Sequence, residues 1–458
     1  MIFWLGVENF AKIESARVCI NKYTVLVGQN NSGKTYLMQL IQGVCDLLVR
    51  YIDNDIFEIV LAEKENGQVY TISKDNIERV VQYINSKLDE NKAKIIKEIF
   101  GKDIEIGKLY IEVEYNEESK YIMKIMNKDD NRIAEMKDEL SSDYSFLLDL
   151  LSRATDEAIV GVLVHNTLNE SKIISIDIHL NGESIFIIKS LLKHIFDIKS
   201  LFLPSSRTGL LVLYREFFAN KTDSAISYKI ENGEGIKDKE MYGGLTQPMY
   251  EYLRFLQTYT ESDSAKTLYK EELTFFQDRL IDGHINISKQ GKMSYSSKID
   301  NLEVPMHLAS SMINELTPIL LAITGRERYS RLIIDEVESS LHPEKQMELA
   351  LFFNRLRRKG VQLIVSTHSD SFVSKLNNIY NMSKIIEKKA HKNDKSFDTS
   401  DMLLDEEIYV YEFKIQKNGK SAVKEIIPDE NGYFFELFTE QTLKLYEEAK
   451  RIGEEAID

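Results

Sequence analysis

The run Gly28-Gln29-Asn30-Asn31-Ser32-Gly33-Lys34-Thr35 constrains this chain more than any other stretch, because it fits G-x-x-x-x-G-K-[ST] in full. Its flanks fit as well. YTVLV at 23–27 reads as a buried strand, and the residues from about Lys34 to Tyr51 read as a helix with Leu37, Leu40, Ile41, Val44, Leu47 and Leu48 on one side. Strand, glycine-rich loop and helix in that order make an anion cradle. The glycines let several N–H groups of the loop, across Gly28, Asn30, Asn31, Ser32 and Gly33, turn toward one anion. The unpaired N–H groups of the first helical turn face the same point. Lys34 would bring positive charge to the β- and γ-phosphates of a nucleoside triphosphate, and the Thr35 hydroxyl would ligate Mg²⁺.

Two further motifs belong with this loop. Leu332-Ile333-Ile334-Asp335-Glu336 is an apolar strand ending in two carboxylates, the Walker B pattern of P-loop ATPases. Asp335 is the expected Mg²⁺ ligand, since a hard cation prefers carboxylate and water oxygens. Glu336 is expected to orient and polarise the attacking water. Ser366-Thr367-His368 closes the strand VQLIV about thirty residues later. A strand–helix–strand step of that length predicts His368 on the neighbouring strand, at the same carboxyl edge as Asp335, where a neutral imidazole would meet the γ-phosphate or the water. Around these motifs the pattern alternates: helix 309–324, strand RLIID, helix 343–358, strand VQLIV, helix 369–379. That is the signature of a parallel α/β core.

The rest of the 458 residues bounds the answer. Acidic residues outnumber basic ones 73 to 58, a net charge of −15, which argues against a chain that coats nucleic acid with a basic surface; a local basic groove stays open. Only two cysteines, Cys19 and Cys45, occur, so no disulfide framework or cysteine-rich zinc site can be drawn. No apolar run approaches the length of a membrane span and the N-terminus lacks a signal-peptide pattern, so a cytoplasmic protein is expected.

Residues 1–208 are read as the N-terminal part of an ATPase head, with strands at 69–72, 108–115, 120–126, 174–180 and 184–190 and helices at 76–99 and 133–152. Residues 209–282 read as a mainly helical insertion, with helices from Pro248 to about Tyr259 and from about Ser264 to Leu280. Residues 283–400 open with a hairpin (284–288, 292–297) and carry the second half of the head. Residues 401–458 hold a strand pair (408–415, 422–427) and a helix from about Phe434.

Roughly 300 residues separate Lys34 from Asp335, far more than a compact GTPase or nucleotide kinase carries between these elements. With that spacing the sequence resembles the ABC-type ATPases of the SMC, RecF and OLD kind, whose head is split between a P-loop end and a Walker B end. The resemblance covers roughly 1–50 and 300–380, and the middle only by layout. Glu338-Ser339-Ser340-Leu341-His342-Pro343 resembles the E-x-x-L-H-P form of the D-loop in OLD-like ATPase subunits of antiphage systems of the PARIS and Septu type. His307-Leu308-Ala309-Ser310-Ser311-Met312 resembles the signature motif without its glycines, with Ser310 as the serine that would contact the γ-phosphate held by a second subunit. Ser310 or Ser311 reads equally as a helix N-cap. Arg207, at the end of Leu203-Pro204-Ser205-Ser206, stands where the family's Q-loop would lie; it is either a phosphate contact or a surface arginine.

The resemblance implies ATP and Mg²⁺, a homodimer or higher homo-oligomer formed through the heads, and an effector on a separate chain, a TOPRIM or HNH nuclease or a toxin. The segment after 400 is too short for a TOPRIM domain, a fold on the order of a hundred residues. Three readings stand at this stage: a defence switch, a DNA-repair or chromosome-maintenance ATPase of the RecF or SMC kind, and a nucleotide-binding scaffold without turnover. Effector contacts are placed on 209–282 (Phe255, Tyr259, Phe275, Phe276) or 401–458 (Phe435, Phe438, Leu443, Tyr446), although residues of this kind more often pack against their own domain. The basic runs at 355–359 and 388–395 are candidate nucleic-acid contacts, or solvated faces.

Overall fold

The computed structural model describes residues 2–51, 64–65, 69–72, 74–114, 120–127, 159–166, 171–179, 199–213, 244–288, 292–299, 302–388, 401–403 and 407–455. The helix expected at 133–152, the strand at 184–190, the middle of the 209–282 insertion and most of the lysine-rich run at 388–395 lie outside them. The chain divides into two compact units, one of Met1–Gly6, Val44–Ile95 and Lys108–Ile198, the other of Val7–Gly43, Ile96–Gly107 and Lys199–Asp458.

In the second unit the strands follow the order β10-β14-β15-β3-β16-β17-β2, then the Val7–Phe10 end of β1 (Ile2–Phe10), with β2 at Ile13–Cys19, β3 at Tyr23–Gly28, β10 at Ser200–Leu203, β14 at Arg331–Ile334, β15 at Gln362–Thr367, β16 at Ile408–Ile415 and β17 at Ser421–Ile426. From β10 through β14, β15, β3 and β16 every pairing is parallel, and β17 runs antiparallel to β16. Parallel strands with neighbours on both edges and helices on both faces have no solvent side, which is why YTVLVG and RLII are buried throughout; SLFL, at the end of the order beside β14, is buried as well. Helix α1 (Lys34–Leu48) follows β3 directly.

The first unit holds an antiparallel sheet of order β4-β5-β7-β8-β9: Lys64–Glu65, Val69–Ile72, Lys120–Asn127, Ile159–Asn166 and Ser171–His179. Helix α2 (Lys74–Phe100) buries Ile77, Val80, Ile84 and Leu88 at helical spacing. Its Asn85 amide donates to the Ile111 carbonyl at 2.9 Å and accepts from the Ile111 N–H at 2.8 Å, so it satisfies both backbone groups of a residue in β6 (Lys108–Glu114).

Between β10 and β14 lie the short helix α3 (Arg207–Leu213), α4 (Gln247–Thr258), α5 (Asp263–Leu268) and α6 (Lys270–Phe275), the last running into a π-type turn at Phe276–Leu280. The single helix expected from Ser264 to Leu280 is thus broken at Tyr269. A sheet of β11 (Gly283–Ile287), β12 (Met293–Ser297) and β13 (Glu303–Pro305) then leads into α7 (Ser311–Thr324), which is buried from Ile313 to Thr324. A helix apolar on all sides belongs in a core. Helices α8 (Pro343–Arg358), α9 (Asp370–Lys388) and α10 (Glu436–Glu455) complete the described elements.

Burial and ion pairing decide between the readings of two surface features. Phe255 and Phe276 are core residues, 3% and 0% exposed, and are not free for an effector; Leu443 and Tyr446 of α10 are more than half exposed. At the end of α8, Arg355 pairs with Asp401, Arg357 with Glu407 and Lys359 with Glu272, so these three cations serve the chain itself. No described helix is long and apolar enough to cross a membrane.

Candidate functional site

Strand order decides where the motifs meet. β15 lies between β14 and β3, in register with Ile334 opposite Val365 and Thr367 opposite Val27. The carboxyl ends of three adjacent parallel strands therefore deliver Asp335, Ser366 and the glycine-rich loop to one edge, the usual place for a ligand in an open α/β sheet. Gly28 has to be glycine there, because a Cβ would stand 2.5 Å from the Phe413 carbonyl oxygen of β16. Gly33 adopts φ +98°, and Asn31 the left-handed φ of 62° that asparagine tolerates. Asn30 and Asn31 are exposed on the loop and Ser32 is buried in it.

Lys34 is the centre of the loop. Its ammonium donates to the Gly28 carbonyl at 3.0 Å, the Gln29 carbonyl at 2.9 Å and Ser32 Oγ at 3.3 Å. Burial lowers its pKa from the usual 10.5 to about 8, against the pull of Asp335, Glu336 and Glu338. Next to it, Thr35 Oγ1 donates to Asp335 Oδ2 at 2.7 Å across about 300 residues of sequence. Ser366 Oγ donates to Asp335 Oδ1 at 2.6 Å and accepts the Glu336 N–H at 2.8 Å. Asp335 is thus clamped on both oxygens, and its own N–H reaches the Leu203 carbonyl at 2.9 Å.

A hydroxyl beside a carboxylate is the donor set that suits Mg²⁺, which keeps several waters and takes its remaining oxygens from phosphates. Among the described residues no group of three or more His, Cys, Asp or Glu gathers to hold a metal. When bound, Mg²⁺ would neutralise charge developing on the phosphates.

Glu336 leaves the strand with φ 48°, a conformation a glutamate adopts only when held. Its pKa is raised, first by burial and then by Asp335 and Glu338, which suits a group that must share a proton with water. His368 follows β15. Burial first, then the charge of Lys34, brings its pKa down to about 4 against a hydrogen bond with the Gly28 backbone, so the imidazole is neutral at pH 7. Glu338 fixes this turn: its carboxylate accepts the His368 N–H at 2.6 Å and the Thr367 hydroxyl at 2.8 Å.

Ser310 caps α7, where its hydroxyl accepts from the Ile313 N–H at 3.4 Å rather than from its own chain's loop. Arg207 corrects both readings offered for it. It is fully buried and not at the surface, and its guanidinium donates to the carbonyls of Pro204, Glu315, Asp335 and Glu336 and forms an ion pair with the Glu315 carboxylate, so it is committed to the protein interior. Sequence reading gave no role to Ser366, Glu338 or Glu315. The signal for Ser366 and Glu338 was their place beside the two carboxylates and the histidine; Glu315 carried only the oddity of a carboxylate inside an apolar helix.

A P-loop and two strand-end carboxylates on one edge of a parallel sheet are the arrangement of a P-loop nucleoside triphosphatase. Residues 1–373 match the AAA ATPase domain family, and the chain belongs to it. Among curated proteins no relative matches. Similar solved structures include the SMC head bound to the C-winged helix domain of ScpA (11% identity over 93% of this chain and 98% of that one, TM-score 0.38). Others are an SMC head domain from Thermotoga maritima (10%, 92% and 98%, 0.31) and an Smc head domain with an extended coiled coil bound to the C-terminal domain of ScpA derived from Pyrococcus furiosus (10%, 98% and 99%, 0.33).

Proposed function

We propose that this chain is a Mg²⁺-dependent ATP-hydrolysing switch whose ATPase heads, of the ABC type, close as a dimer on ATP and control a separate effector in bacterial antiphage defence. The observation that carries the hydrolytic part is the 2.7 Å contact between Thr35 and Asp335, with Glu336 next in the chain. The loop and the first turn of α1 bind the phosphates, Lys34 carries the charge, Glu336 orients the water, and neutral His368 accepts or donates a hydrogen bond beside it.

Dimer closure is supported by Ser310, whose capped helix N-terminus offers an anion site to a second subunit. The defence role rests on the resemblance of Glu338 to Pro343 to OLD-like subunits. Glu336→Gln should bind ATP and sediment as a dimer only when ATP is present, with Ser310→Arg abolishing the dimer. Normal turnover by Glu336→Gln would sink the assignment. Purification from the native host should bring down an effector chain; stimulation by DNA with no such chain would favour the RecF- or SMC-like repair reading instead.

A further inference from the structure

The Asp335-Glu336 peptide is under an unusual constraint. A β-strand exit through φ 48° at a glutamate is unfavourable for any L-residue with a Cβ, and it holds only where the surroundings fix the peptide groups on both sides. On the amide side Ser366 Oγ accepts from the Glu336 N–H at 2.8 Å. On the carbonyl side the holder is Arg207. Its Nη1 donates to the Asp335 carbonyl at 2.6 Å and its Nη2 to the Glu336 carbonyl at 3.2 Å. Nη1 also donates to the Pro204 carbonyl (3.1 Å) and Nε to the Glu315 carbonyl (3.1 Å), and Nη2 forms an ion pair with Glu315 Oε1 at 3.3 Å.

Four N–H groups of the planar fork are therefore spent on backbone carbonyls while the charge pairs with Glu315, and only arginine has that fork. Glu315, 1% exposed, supplies the counter-charge; its other oxygen accepts from Thr208. It also sits on the first turns of α7, beside Asn314, whose amide donates to the carbonyls of Met306, Ala309 and Ser310.

We propose that Arg207 is a positioning residue for ATP hydrolysis: through the carbonyls of Asp335 and Glu336 it aims the water-orienting carboxylate, and through Glu315 it ties that peptide to the helix that Ser310 caps. This rests on the ATPase reading above. It replaces a phosphate contact with a role one step removed, and it puts the start of the α3 segment, the capped helix and the carboxylate under one side chain.

The test is a comparison of wild type, Arg207→Lys and Glu315→Gln by steady-state turnover, affinity for a fluorescent ATP analogue with Mg²⁺, and thermal unfolding. Lysine keeps the charge opposite Glu315 but cannot reach both carbonyls, so kcat should fall about 10- to 100-fold with KM and analogue affinity within about threefold, the size expected of a misaimed catalytic group. Glu315→Gln keeps the two carbonyl bonds and should lower the unfolding temperature while kcat stays within about threefold of wild type. Should Arg207→Lys fail to fold, Arg207→Gln combined with Glu315→Gln removes both buried charges together and is read by the same split. Wild-type turnover in the Arg207 variants, or an equal loss of kcat in Glu315→Gln, overturns the inference. A wild type that hydrolyses no ATP overturns the ATPase reading with it.

Discussion

Replacing Lys34 by methionine should make the protein more stable in the absence of nucleotide and less stable in its presence. The ammonium is 5% exposed and its pKa is lowered from 10.5 to about 8 by burial. At about 1.36 kcal/mol per pH unit, that drop means the charged form carries a folding penalty of about 3 kcal/mol at pH 7. Methionine fills the same channel without the charge but gives up bonds to Gly28, Gln29 and Ser32; leaving the buried Gly28 carbonyl and the partly buried Gln29 carbonyl without these partners costs roughly 2 kcal/mol. The net is about 1 kcal/mol in favour of the variant, a rise of about 1 to 3 °C in unfolding temperature for a unit of this size. Saturating ATP with Mg²⁺ reverses the order, because ligand at about 100 times its dissociation constant stabilises the wild type by about 2.7 kcal/mol and the variant not at all. The pH dependence has a fixed sign. Between about 8 and 10.5 the unfolded chain holds a proton on Lys34 that the folded one has lost, so wild-type stability rises relative to the variant and the gap closes. Thermal melts of both proteins at pH 7 and 9.5, with and without ATP, provide the data. A variant that is less stable without nucleotide at pH 7, or equally stabilised by ATP, would refute the reasoning.

Ser366→Ala removes the hydroxyl between Asp335 and the Glu336 amide and should raise the Mg²⁺ concentration for half-maximal turnover about tenfold; an unchanged Mg²⁺ titration counts against the clamp. Glu338→Gln leaves one carboxyl-type acceptor for the two bonds to Thr367 and His368, and should cost about tenfold in kcat with little change in ATP affinity, measured by stopped-flow and equilibrium binding. ATP binding at pH 8.5 should take up a proton, since phosphates restore the charge on Lys34, and calorimetry in buffers of different ionisation enthalpy should show an effect that vanishes at pH 6.5.

How much of this was legible beforehand depends on what each motif encodes. The loop was readable because its constraint is local: a glycine at φ +98°, another pressed against β16, a lysine and a threonine at fixed spacing. The Walker B strand and the His368 strand were readable because buried parallel strands are continuous apolar runs, and a strand–helix–strand step has a known hand and length. Arg207 was misread for the opposite reason. Its partners, Glu315 and the carbonyls at 335 and 336, are over a hundred residues away, and no local pattern distinguishes an arginine that faces a phosphate from one that faces backbone. The break at Tyr269 was missed because periodicity sees an apolar face, and that face continues through the break. Strand β8 was missed because IVGVLVHN is too uniformly apolar to show alternation.

The bonding around Lys34 also says what ATP has to displace. Its ammonium already has three acceptors, two of them carbonyls of the loop that must bind the phosphates. Phosphate oxygens that reach the lysine would take the place of those acceptors, beside the loop's own N–H groups. Binding is then an exchange of three neutral acceptors for charged ones. The gain is largest for a ligand whose charge lies next to Lys34, at the β- and γ-phosphates, and smaller for one that ends short of it. Lys34 is one residue from Thr35, which is hydrogen-bonded to Asp335, the residue before Glu336. On the proposed function, a bound triphosphate would therefore be linked to Glu336 through one threonine and one aspartate, while Arg207 bonds the carbonyls on the far side of that peptide.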